Sequence, residues 1–120
     1  MRWTLVSLAL VMALMPSSAR SKTSAYNTGN TLLSMCEGQP PFDVLGEPYC
    51  TGYVVGIADV LSIEEGVSSV WGWKACIPDS VTRGQLRDVV VKYLQNNPET
   101  KDETAASLTA AALATAFPCQ

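Results

Sequence analysis

The chain has 120 residues, 48% of them hydrophobic, with eight Lys and Arg against eleven Asp and Glu. This length suits one domain, and a formal net charge of −3 argues against nucleic acid or an anionic membrane as partner. Histidine is absent, which removes the commonest metal ligand and the commonest general base together.

Residues 1–19, MRWTLVSLALVMALMPSSA, have the layout of a cleavable export signal. Arg2 supplies the positive n-region, Leu5 to Met15 the short apolar h-region, and Ser17-Ser18-Ala19 the small-residue cleavage site. Such a run is too short to span a hydrocarbon core of roughly 30 Å as a helix, and no later stretch reaches that length. The mature domain is therefore expected to be residues 20–120, exported and without a stable membrane anchor. Arg2 leaves with the signal, so seven Lys and Arg face eleven Asp and Glu, a formal net charge of −4. That balance suits a basic protein partner.

Export sets how Cys36, Cys50, Cys76 and Cys119 are read. In an oxidising compartment an even number of spaced cysteines implies disulfides. No C-x-x-C occurs, so neither a redox pair nor a zinc ribbon is signalled, and no metal or cofactor is expected.

The elements follow in chain order. Residues 20–30 are small and polar and read as a loose lead. A short helix fits Thr31 to Glu37 with Asn30 as N-cap, stopped by Gly38 and Pro40-Pro41. The stretch Tyr49 to Glu65 is rich in β-branched residues, which suits a strand, but it is long for one. Tyr49, Tyr53, Ile57, Val60 and Leu61 recur at helical spacing, so a helix with that inner face is predicted. Gly52-x-x-x-Gly56 would weaken it in isolation but let another helix cross closely.

Two later helices carry clearer signals. Thr82-x-x-Gln85 is a capping box, with Val81 and Leu86 at hydrophobic-staple positions. Leu86, Val89, Val90, Tyr93 and Leu94 then form one apolar stripe, and Asn96-Asn97-Pro98 ends it. Thr100-x-x-Glu103 reads as a second capping box opening an Ala-rich helix to about Thr115. Its expected inner face is Ala105, Leu108, Ala112 and Ala116, and Pro118 stops it. The short connection makes the pair an antiparallel hairpin with Leu86, Val90, Tyr93, Leu94, Leu108 and Leu113 buried between. The fold class is all-α: a small disulfide-stapled bundle of about four helices.

Catalytic signatures such as G-x-S-x-G, H-E-x-x-H or a P-loop do not occur, and an enzyme is not expected. Glu64 and Glu65, adjacent on a helix end, point about 100° apart and do not converge on one substrate. The segment 62–75 nevertheless stands out for binding, because Trp71-Gly72-Trp73 sits between a helix and a cysteine. A tryptophan there either plugs a small core or serves as an interface hot spot. On the second reading, Trp71 or Trp73 buries area against a protein partner while Glu64 and Glu65 complement its charge.

Cys50-Thr51-Gly52-Tyr53, Gly56, Asp59, Cys76-Ile77-Pro78, Val81-Thr82, Gln85-Leu86, Val89-Val90, Tyr93-Leu94, Pro98-Glu99 and Ala116-Phe117-Pro118-Cys119 together resemble the Rap/Tai family of bacterial immunity proteins. The resemblance implies a helical, periplasmic and often dimeric protein. It also implies a partner, a peptidoglycan amidase effector of type VI secretion, inhibited by occlusion of its active site. The competing reading is a small periplasmic helical chaperone or envelope stress protein with no cognate effector.

Four cysteines allow three pairings. Cys36 ends the first helix and Cys50 begins the second, while Cys76 precedes the third and Cys119 follows the fourth. Antiparallel neighbours therefore predict Cys36–Cys50 and Cys76–Cys119. A Cys50–Cys76 bond would need opposite ends of a helix roughly 25 Å long to meet. The signal reading has its own check. Intact mass of the exported protein should place the new N-terminus at Arg20, and an exported product retaining residues 1–19 would refute cleavage there.

Overall fold

Three helices of this chain begin on a threonine whose hydroxyl accepts from a backbone N–H three residues on, a donor the helix itself leaves unpaired. The computed structural model describes residues 25–62 and 72–120. They form α1 (Gly29–Cys36), α2 (Gly46–Leu61), α3 (Arg83–Asn96), a 3-10 turn (Pro98–Thr100) and α4 (Ala105–Ala116). All elements among the described residues are helical, as the sequence indicates.

The first helix starts earlier than its sequence suggests. Its N-cap is Thr28, not Asn30, and Thr28 Oγ1 accepts from Thr31 N at 3.3 Å. The Gly29 N–H donates to the Glu103 carbonyl at 3.0 Å, and the Asn30 N–H to the Lys101 carbonyl at 2.9 Å. Ala105 N in turn donates to the Asn27 carbonyl at 2.8 Å, so the caps Thr28 and Thr104 pair as an antiparallel bridge. Residues 27–30 are thus pinned rather than loose. The clasp packs tightly on Gly29, where a Cβ would lie 2.5 Å from Leu108 Cδ1 and 3.0 Å from the Lys101 carbonyl oxygen, so a larger residue would force Leu108 to shift.

The same clasp displaces the start of α4. Thr100 does not open a capping box with Glu103; its hydroxyl donates to the Asn97 carbonyl at 3.0 Å and closes the 3-10 turn. A helix continuing through residues 101–103 would use the Lys101 and Glu103 carbonyls that serve α1. Thr104 caps α4 instead, accepting from Ser107 N at 3.3 Å.

The inner face that periodicity gives α2 is partly right: Leu61 is buried and Tyr53 and Ile57 pack on the edge of the core, but Tyr49 and Val60 are exposed. Cys50, Val54, Ala58 and Leu61 are buried, whereas Tyr49 is 60% and Val60 42% exposed, with Tyr53 and Ile57 half-buried. Cys50 is held inward by its disulfide to Cys36, and one residue of offset turns a helix by about 100°. The helix begins at Gly46 because Pro48 falls in the first turn, where its missing N–H costs nothing. Gly46 packs on the end of α1: a Cβ there would sit 2.6 Å from the Met35 carbonyl oxygen. Gly52 and Gly56 face outward, so within the described residues no helix crosses at that pair. Residues 63–65 of the expected helix lie outside the described residues.

The capping box of α3 forms as its residues indicate, with Gln85 N donating to Thr82 Oγ1 at 3.2 Å and Thr82 N to Gln85 Oε1 at 2.8 Å. Leu86, Val90 and Leu94 are buried and Tyr93 is half-buried. In α4, residues 108–113 are all buried, because this alanine-rich helix contacts α1, α2 and α3 together. Ala116, expected inside, is exposed where the helix leaves the bundle. A helix apolar all round belongs in the middle of a core. Its one polar group there, Thr109 Oγ1, is buried with no hydrogen-bond partner among the described residues.

Both disulfides join the helix ends named above, Cys36 to Cys50 and Cys76 to Cys119, with Cα–Cα distances of 5.0 Å. Cys76 N also donates to the Phe117 carbonyl at 2.8 Å, tying the segment before α3 to the end of α4. In the chain-entropy model, loops of these sizes contribute about 3 and 4 kcal/mol. At the exposed entrance of α3, Arg87 pairs with Asp88 and with Glu47 of α2. These two hydrogen-bonded carboxylates raise its guanidinium pKa, but a surface pair of this kind adds little stability.

Two substitutions test the core in opposite directions. Leu94→Ala or Leu108→Ala should lose about 2–5 kcal/mol in denaturant unfolding. Thr109→Val keeps the volume and removes an orphaned hydroxyl, so it should gain about 1 kcal/mol.

Candidate functional site

The chain reaches Cys76 through a turn at Gly72, whose φ of 82° is accessible to glycine at no steric cost. Ala75 is buried and Cys76 is bonded to Cys119, so the backbone on this side of Trp73 is fixed. Trp73 is 36% exposed and stands at the lip of a groove of about 580 Å³. Tyr26, Asn27, Tyr53, Ala106 and Ser107 line the groove with it. Trp73 is therefore a partly exposed surface residue in the described structure. Glu64, Glu65 and Trp71 lie outside the described residues.

Two of the groove's aromatics were not marked by sequence reasoning. Tyr26 falls in the segment read as a loose lead, and the Asn27–Thr104 clasp immediately after it brings it here. Sequence periodicity puts Tyr53 on the inner face of α2. Placing Cys50 inward as a disulfide partner moves Tyr53 to the flank of that face, where the structure has it half-buried. Partial burial pushes the Tyr53 phenol pKa up, and Tyr49 beside it adds to the shift. The phenol therefore stays neutral and available as a donor at physiological pH.

The polar rim belongs to the α4 cap. Thr104 Oγ1 and Ser107 Oγ lie 2.6 Å apart, and Ser107 Oγ also lies 3.1 Å from the Thr104 carbonyl. These hydroxyls are occupied by capping. What the groove presents is apolar and aromatic surface, the chemistry that receives an apolar side chain from a partner. Among the described residues no cluster of His, Cys, Asp and Glu could hold a metal ion, and no helix is long and apolar enough to cross a membrane.

As a class, the chain is a twice-stapled helical bundle with an aromatic groove at the start of its last helix. The chain belongs to the Rap1a immunity proteins, whose family pattern matches residues 28–119. That span starts at the N-cap of α1 and ends at the last disulfide cysteine, so it contains every described element. Membership implies binding to a cognate effector protein. No curated protein shows a significant match to the chain.

The exposure of Trp73 is directly measurable. With Trp71 replaced by phenylalanine and the signal removed, the remaining Trp73 fluorescence should be readily quenched by acrylamide. Trp73→Ala should also lower the melting temperature much less than Leu94→Ala does.

Proposed function

We propose that this chain is an exported immunity protein of the bacterial periplasm that protects its producer from a peptidoglycan amidase effector of type VI secretion. Residues 1–19 act as the signal peptide and residues 20–120 as the immunity domain. The mature chain works as a homodimer that binds the effector and occludes its active site, with no catalysis of its own. The observation that carries this reading is the family match across the whole described fold. Two stapling disulfides support it, since such bonds persist in an oxidising compartment.

The effector-contacting surface is segment 62–75. Connections held by a rigid bundle commonly carry binding function, and this one is fixed at its far end by Cys76–Cys119. Trp73, with Trp71, supplies the aromatic contact, and the groove beside Trp73 receives an apolar side chain of the effector. Glu64 and Glu65 complement a basic effector surface, acting mainly on association rate and specificity.

The test uses an amidase encoded beside this gene and purified muropeptide as substrate. The mature protein should inhibit cleavage stoichiometrically. Trp73→Ala should weaken binding by about 2 kcal/mol, roughly 30-fold, while remaining folded. Failure to bind that amidase, together with suppression of client aggregation, would favour the chaperone reading instead.

A further inference from the structure

The two disulfides sit in different surroundings. Cys36 is the last residue of α1 and Cys50 lies in the first turns of α2. Cys50 is 0% exposed and Cys36, half-buried, packs on the hydrophobic core, so their bond belongs to that core. Cys76 and Cys119 both lie outside the helices. Cys76 is exposed, Cys119 is half-buried, and neither is part of the core or packs against it. Exchange needs a thiolate to reach one of the two sulfurs. A bond inside the core is reached only when the surrounding helices open, whereas an exposed bond outside them is reached in the folded state.

Little else fastens the chain at Cys76. Among the described residues, one backbone hydrogen bond ties residues 72–81 to the rest of the bundle, from Cys76 N to the Phe117 carbonyl. Val81 N donates only to the nearby Pro78 carbonyl. Ala75 is the one fully buried side chain of the stretch, with Ile77 and Val81 half-buried at the edge of the core. Every other buried apolar residue of the core lies in α1 to α4. Opening Cys76–Cys119 therefore frees the segment that carries Trp73 and leaves the packed helices in place.

We propose that Cys76–Cys119 is a site of thiol–disulfide exchange, cleaved by a dithiol in the folded protein while Cys36–Cys50 stays closed. One thiolate of the dithiol attacks the exposed Cys76 Sγ, the S–S bond breaks, and Cys119 leaves as a thiolate that takes up a proton. The second thiol of the reductant then displaces Cys76 from the mixed disulfide. Both cysteines end as thiols carrying the two protons of the dithiol, which is itself oxidised to a disulfide. Cleavage unfastens Trp73 and so lowers affinity for the effector. That consequence rests on the 62–75 contact proposed above; the exchange chemistry does not.

The test treats the mature, oxidised protein with dithiothreitol in native buffer, blocks free thiols with iodoacetamide at intervals, and maps the peptides. Cys76 and Cys119 should become alkylated at least about 100-fold faster than Cys36 and Cys50. Equal rates, or Cys36–Cys50 opening first, would overturn the proposal. In guanidinium chloride the two bonds should react within about 3-fold of each other, since burial no longer separates them. A preference that survived there would trace to local sequence and overturn the assignment to the fold. Brief treatment with the monothiol cysteamine should leave its adduct on Cys76, and an adduct mainly on Cys119 would overturn the order of attack. Circular dichroism of the half-reduced, alkylated protein should keep the helical signal, and its collapse would place the bond in the core after all. With Trp71→Phe, acrylamide quenching of Trp73 should rise on reduction, and unchanged quenching would overturn the release. The half-reduced protein should bind the amidase about 10-fold more weakly than the oxidised one, and equal binding would overturn the effect on affinity. Failure of the oxidised protein to bind any amidase would count against the immunity reading and leave the exchange site standing.

Discussion

The Cys36–Cys50 bond decides which way α2 faces, and much of the molecule's surface chemistry follows from that direction. With Cys50 held against the end of α1, Val54, Ala58 and Leu61 must point inward at successive turns. Tyr49, Gly52 and Gly56 are thereby turned to the surface, and Tyr53 lies at the edge of the core. A helix whose two faces are both apolar has no hydrophobic preference strong enough to select one of them. A covalent bond at its first turn makes the selection.

A second constraint operates where α1 and α4 begin. Each helix start leaves backbone N–H groups without internal partners, and the connection after α3 leaves carbonyls free. The Thr28–Thr104 bridge matches these needs, with Gly29 leaving room for Leu108 beside it. The consequence reaches the surface, since the residues just before the clasp form one wall of the aromatic groove. The backbone clasp between α1 and α4 and the aromatic groove are thus joined through two residues of chain.

Around these two constraints, α4 supplies the packing. Alanines at successive positions allow three other helices to approach one central helix, with Leu108 and Leu113 filling the remaining volume. The Cys76–Cys119 bond anchors the chain three residues after Trp73. Surface held in place before contact loses less freedom on binding, and inhibition by simple occupation of a cleft benefits from it. The fold and the immunity function proposed for it ask for the same thing: a surface that does not have to be ordered at the moment of contact.

The amino-acid sequence by itself determined the helical class, the number of helices, the α3 capping box and the α3 stripe. These depend on local spacing, capping chemistry and periodicity within a single element, all of which operate over a few residues. It also carried the family resemblance through its ordered cysteine motifs. The tertiary structure alone decided the caps of α1 and α4 and the surroundings of Trp73, and it settled the phase of α2 that periodicity by itself leaves open. Each of those depends on a partner distant along the chain: Cys36 for Cys50, Glu103 for Gly29, and Tyr26 and Tyr53 for Trp73. Local periodicity ranks the faces of α2 only weakly because both carry apolar residues; the Cys36–Cys50 pairing, itself legible in the sequence, favours the face that the structure buries.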